Sequence, residues 1–212
     1  MPAGKWAAVY PSCGILWQSA KPAATGAVRN MHQEHPLSFA EAINRTEVLL
    51  QQWQAGAMTT EALAQQLAGL LSSADGRRGF FVVALTGPSP LLDQPPTPVL
   101  EQLHRGGEAV VDLVVRNLAM GTAMALEHRR QGHGEQAQGS LQVQRRAQAL
   151  LTQLDPLAVR QRLDQLLAAT EGHGADVAFL ERWNYDAAQG QAIAQVVAAT
   201  QGSLTWGKSQ FV

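Results

Sequence analysis

One segment constrains this chain more than any other: GEAVVDLVVRNLAMGTAMALEHRRQG, residues 107–132. At 3.6 residues per turn its apolar side chains cover nearly the whole circumference of a helix. A helix that is apolar on all sides has to be enclosed, and in a soluble chain several other helices must enclose it. The segment therefore predicts an all-α, multi-helix bundle around a central apolar helix over about 107–131. Asp112 and Arg116 stand one turn apart, where they can pair. Together with Asn117 they interrupt the most apolar stretch, Ala109 to Leu126, which reads as a core helix and not as a membrane span.

The flanking sequence supplies about eight further helical segments, for eight or nine helices in all. Ser38 and Glu41 in SFAE form a capping box, and Phe39, Ala42, Ile43, Val48, Leu49, Leu50 and Trp53 make the apolar stripe that follows. Thr59 or Thr60 caps a second helix whose Leu63, Leu67, Leu70 and Leu71 share a face, and the two short helices predict a hairpin. GRRGFFVVALTGP suits either a buried strand or a helix. A lone strand in a helical chain leaves its amides without partners, so a short buried helix starting near Asp75 is expected. These elements fill residues 37–86, and PSPLLDQPPTP makes 87–97 a proline-rich loop.

A main bundle is expected over 98–201. It opens with PVLEQLHRG and the central helix, which Gly132 and Gly134 end. A helix with Leu141, Ala147, Leu150, Leu151 and Leu154 as core positions follows. Asp155-Pro156 is an N-cap with proline in the first turn, opening a helix with Leu157, Leu163, Leu166 and Leu167 inward. ADVAFLERWN is a short helix, Asp186 caps the last one, and 202–212 reads as a flexible tail.

Residues 1–36 show neither helical nor strand periodicity and are broken by four prolines. Two readings stay open: upstream sequence before a natural start at Met31, or an arm that docks through Trp6, Ile15, Leu16 and Trp17. A single cysteine, Cys13, suits a reducing compartment. No apolar run with a cleavage site is seen near the start, so a cytoplasmic protein is expected. A formal net charge of −1 provides no global field toward nucleic acid or anionic membranes.

The chain spells one complete catalytic-looking motif, GSLTWGKS at 202–209, a match to the phosphate-binding P-loop. That loop works only between a strand and a helix, where backbone amides and the helix dipole converge on phosphate. Here helix-patterned sequence precedes it and three residues follow it. It predicts no nucleotide site.

Glu127, His128, His133 and Glu135 cluster about the Gly132–Gly134 break without the His-Glu-x-x-His spacing of a helix-borne metal site, and read as a solvated helix end. A di-iron bundle requires two Glu-x-x-His units and the chain holds one, Glu101 to His104, while a Gly-x-Ser-x-Gly elbow is absent. No catalytic residue, metal or cofactor is expected.

Two constellations remain. The doublets Arg77-Arg78, Arg129-Arg130 and Arg145-Arg146 are candidates for a surface that binds an acidic partner or phosphate, or else for solvated helix faces. No aromatic residue interleaves those near the central helix, which disfavours nucleic acid because bases find no stacking platform. Asn117, Met120 and Met124 on the central helix could line a pocket for an apolar ligand, with core packing as the plainer reading.

GRRGFFVVALTG, VVDLVVRNLAMGTAMALEHRRQG and FLERWNYD together resemble an uncharacterised family of all-helical proteins found in cyanobacteria, over about residues 38–200. The resemblance implies a helical fold and brings no activity or site residue with it. The leading expectation is a non-enzymatic interaction protein, an adaptor, assembly or regulatory factor with a protein partner. The first alternative is a helical domain for a small or lipophilic ligand, enzymatic or not. The second is an RNA-binding module using the arginine doublets.

Overall fold

The computed structural model describes residues 37–206. The expectations for 1–36, including the start at Met31 and Cys13, and for the last residues of the tail lie outside that range. Five of the described helices begin where a side chain provides an acceptor for first-turn amides that have no partner of their own. Ser38 Oγ accepts from Glu41 N at 3.3 Å, and Glu41 Oε2 accepts from Ser38 N at 2.9 Å, opening α1, Phe39–Gln54. Thr59 accepts from Ala62 N and opens α2, Thr60–Leu71. Ser73 accepts from Gly76 N and opens α3, Ala74–Thr86.

Beyond the proline-rich loop, α4 spans Thr97–Arg105, α5 spans Gly107–Arg130 and α6 spans Gly134–Leu151. Asp155 accepts from Ala158 N ahead of Pro156 and opens α7, Pro156–Thr170. A six-residue α8, Val177–Arg182, follows. Then α9, Ala187–Trp206, starts behind Asp186, whose Oδ1 accepts from Gln189 N while Gln189 Oε1 accepts from Asp186 N. Among the described residues there are nine helices and no strand.

The central position falls to α5. It packs most extensively on α6 and also meets α9, α7, α4 and α3. Val110, Val114, Val115, Leu118, Ala119 and Ala123 on it are wholly enclosed. By length and composition α5 is apolar enough to cross a membrane, but 56% of that stretch is buried inside the fold. Two glycines mark close helix approaches. A Cβ on Gly121 would stand 3.0 Å from Gln144 N and 3.1 Å from Ser140 O, so α5 and α6 meet backbone to backbone there. A Cβ on Gly79 would stand 2.5 Å from that of Ala42, which brings α3 onto α1.

The segment GFFVVALT is helix, with Phe80, Phe81, Val83, Ala84 and Leu85 all buried. Its backbone groups are satisfied internally, as enclosure among helices demands. Other expectations need correction. The first two helices touch, yet α1 packs chiefly on α3 and α2 chiefly on α4. Val48 and Leu157, read as inward, are 51% and 66% exposed, and Leu141 is only half-buried. At 3.6 residues per turn Val48 and Leu157 fall on the sides of α1 and α7 roughly opposite the buried residues, which are Ala42, Thr46, Leu49 and Leu50 on α1 and Val159, Arg162, Leu163, Leu166 and Ala169 on α7. The last helix continues through Trp206, past the Gly202 at which a tail was expected.

Candidate functional site

Positions three and four apart on a helix share a face. On α5 this brings Glu108, Val111 and Asp112 together, and on α7 Ala158, Gln161, Arg162 and Gln165. The two sets line one surface groove of about 300 Å³ between the helices. Val111, 3% exposed, belongs to the core beneath it. On the other side of α7, Arg160 and Asp164 with Gln201 and Gly202 of α9 line a second depression of about 380 Å³. There Gln201 Nε2 donates to Asp164 Oδ1 at 2.6 Å. The outer ridge of α7, headed by Leu157, thus runs between two depressions.

The lining of the first groove reaches a cluster of four charges. Arg162 Nε donates to Asp112 Oδ1 at 2.7 Å, and Arg116 Nε lies 3.0 Å from Asp112 Oδ2. Arg162 also donates to both oxygens of Asp176, from Nη2 to Oδ1 at 3.0 Å and from Nη1 to Oδ2. Arg116 Nη2 is 3.6 Å from Asp176 Oδ1, and its guanidinium lies over the Phe179 ring at 5.1 Å. Arg162 and Asp176 are almost wholly buried, at 9% and 6% exposed. A buried guanidinium is tolerated only when its charge and its donors are matched, as they are here. With two carboxylates facing two guanidinium groups, the cluster offers neither a free base nor a nucleophile. What it can do chemically is recognise and orient.

The chain belongs to the family described as uncharacterised conserved protein UCP020893. The family model matches residues 38–200, from the cap of α1 into the last helix. That is the stretch over which the sequence resembles an uncharacterised helical family. No curated protein and no solved structure matches the chain. The family's span contains the charge cluster and both depressions except Gln201 and Gly202.

The residues singled out from sequence do not form one site. Arg146 is 6% exposed, and its donors go to Asp93 and to carbonyls at the end of α3. Arg77 donates to Leu71 O at 2.8 Å, while Arg78 pairs with Asp75 and lies over Phe39. Arg130 pairs with Asp186 and Glu127. The hydrogen bond from Arg130, aided by that from Gln189, holds the Asp186 carboxyl below its ordinary value. Arg129 and Arg145 are exposed. Gly121 lies level with Gln144, so Arg129 stands eight residues, roughly 12 Å, further along α5 than Arg145's level. The doublets therefore do not converge.

Asn117 Nδ2 donates to Leu113 O at 2.8 Å within α5, and Met120 and Met124 are half-buried and buried. None of the three lines either depression.

The histidine cluster also resolves differently from its sequence reading. His128 is 2% exposed, with Nδ1 3.2 Å from the wholly buried Ser140 Oγ. This serine–histidine contact is sealed between α5 and α6, so it ties helices together and reaches no substrate. Among the described residues no three His, Cys, Asp or Glu side chains are grouped to hold a metal ion. Of GSLTWGKS, Gly202–Trp206 is the end of a helix where the motif requires a loop; the remainder lies outside the described residues.

The Asp112–Arg116 pair was legible from its spacing. Asp176 was not: it lies fourteen residues from Arg162, across a glycine-bearing turn, with no local pattern joining the two.

Proposed function

We propose that the protein is a non-enzymatic interaction protein whose docking face for a protein partner is the outer ridge of α7 with the groove beside it. The observation that carries this reading is Leu157. It is a large apolar side chain left 66% exposed at the head of a ridge between two depressions. A scattered exposed leucine is ordinary on any surface. Here it is one turn from Gln161 and two from Gln165, whose amides line the groove and supply donors and acceptors with no net charge. An apolar anchor with neutral amides on one side and the Arg160 and Asp164 charges on the other has the composition of a protein-binding patch, an apolar centre with a polar rim. The arginine doublets support no rival reading as an RNA surface, since Arg146 is enclosed and the exposed arginines stand apart.

The test is affinity capture from native lysate with the full chain, Leu157→Glu and, as a control elsewhere on the surface, Val48→Glu. A partner retained by the wild type and by Val48→Glu but lost with Leu157→Glu, at unchanged melting temperature, supports the reading. A partner indifferent to Leu157→Glu overturns the assignment of the face.

A further inference from the structure

Between Glu171 and Ala188 the chain has one buried side chain, and it is a carboxylate, Asp176. The stretch contains α8, a helix without a single buried residue. Its backbone hydrogen bonds include short-range ones such as Leu180 N to Asp176 O at 3.0 Å and Asn184 N to Glu181 O at 2.9 Å. Left-handed backbone marks both ends, with φ of 86° at Gly172, 89° at Gly174 and 50° at Asn184. A segment with few buried apolar contacts opens at lower free energy than the helices on either side of it. Beside the half-buried Val177, Phe179, Leu180, Trp183 and Tyr185, the buried hold on this one is the grip of Arg162 and Arg116 on Asp176, with Arg116 laid over Phe179.

The charge balance of that grip has a consequence. Arg116 and Arg162 against Asp112 and Asp176 is neutral. With Asp176 withdrawn, one positive charge of these four groups is left uncompensated where the α5–α7 groove meets Asp112 and Arg162, with the exposed Glu108 lining the same groove. The vacated position keeps the donors that now bind Asp176: the Nη1 and Nη2 of Arg162 and the Nη2 of Arg116. Such a site takes one carboxylate, bidentate on Arg162.

We propose that residues 171–185 are an autoinhibitory strap. Asp176 is the built-in occupant of a two-arginine site, and an aspartate or glutamate of the docking partner takes its place when the strap swings away. This deepens the docking reading above and rests on it, naming an acidic side chain as the partner's contribution. Exchanging one carboxylate for another leaves the arginines satisfied throughout, so little is lost at the contact itself. The barrier is the high effective concentration of a tethered occupant, in the millimolar range or above for a short tether. A partner that also engages the ridge of α7 overcomes it; an isolated carboxylate does so only at high concentration.

Hydrogen exchange on the full chain tests the strap without any partner, so its result is independent of the capture experiment. In the wild type, amides of 171–185 are expected to exchange as one group, faster than those of α7 and α9. Acetate is expected to speed that group relative to chloride at equal ionic strength. Asp176→Asn is expected to raise the group's rate at least about tenfold, leave the interior of α5 protected, and abolish the acetate effect. Exchange of 171–185 as slow as the flanking helices, or a rate unaltered by Asp176→Asn, overturns the strap. Acetate and chloride acting alike overturns the carboxylate site. The wild-type measurements stand if the variant does not fold.

Discussion

Arg146 grips Asp93 through two parallel hydrogen bonds, Nε to Oδ1 at 2.7 Å and Nη2 to Oδ2 at 2.8 Å. Its remaining nitrogen, Nη1, donates to the carbonyls of Ala84, Leu85 and Gly87 at 3.1, 3.2 and 2.8 Å. Carbonyls at a helix C-terminus have no partner within the helix. Gln142, one turn earlier on α6, donates to the same group of carbonyls. One guanidinium thus joins α6, the end of α3 and the proline-rich loop, and the doublet it belongs to is divided between core and solvent.

Replacing Arg146 by lysine is expected to cost about 2 kcal/mol, because a point-like ammonium cannot reproduce the fork or serve the carbonyls behind it. Arg145→Lys, on the exposed side, should change stability by less than about 0.5 kcal/mol. Urea unfolding of the two variants separates the roles of adjacent arginines.

The same contact makes stability depend on pH. The hydrogen bond from Arg146 holds the Asp93 carboxyl below its ordinary 3.8, with partial burial opposing and the charges of Arg146 and Arg145 assisting. A carboxyl lowered by folding contributes stability that is complete above its unfolded-state value and is lost as pH falls through the lower folded value. Asp93→Asn should therefore be less stable than wild type near neutrality, with the difference shrinking below about pH 4. Urea midpoints measured across that range check the sign.

Two glycine substitutions should move stability in opposite directions. Gly79→Ala drives a Cβ to 2.5 Å from Ala42 Cβ and 2.9 Å from its carbonyl carbon, where backbone must yield. A loss of about 2 kcal/mol is expected despite the better helix propensity of alanine. Gly69→Ala meets nothing within 4 Å and should gain about 0.5 kcal/mol. Thermal melts of the pair read both effects.

Gln189 closes the reciprocal cap with Asp186 and donates from Nε2 to Ala123 O of the central helix at 3.2 Å. Gln189→Ala removes both connections and should cost about 1–2 kcal/mol. Faster hydrogen exchange at the start of α9, with α1 unchanged, would locate the loss.

The caps were the most legible part of this chain. Ser38 with Glu41, Thr59, Asp155 and Asp186 each mark a helix start through a bond that spans three residues, so both partners lie in one short window of sequence. The candidate site was legible only in part, for the same reason. Asp112 and Arg116 pair across one turn, whereas Arg162 meets Asp112 across fifty residues and Arg146 meets Asp93 across fifty-three.

The sequence alone determined the all-helical class, the central position of residues 107–130 and nearly every helix boundary, because propensity, capping and the apolar character of one segment are local properties. Only the tertiary structure decided which arginines face solvent, which leucine is left uncovered and where Asp176 goes. A periodic pattern specifies which face of a helix is apolar, but not which neighbour covers it. The pairing of distant charges, as of Arg162 with Asp176, depends on how the helices are placed against one another.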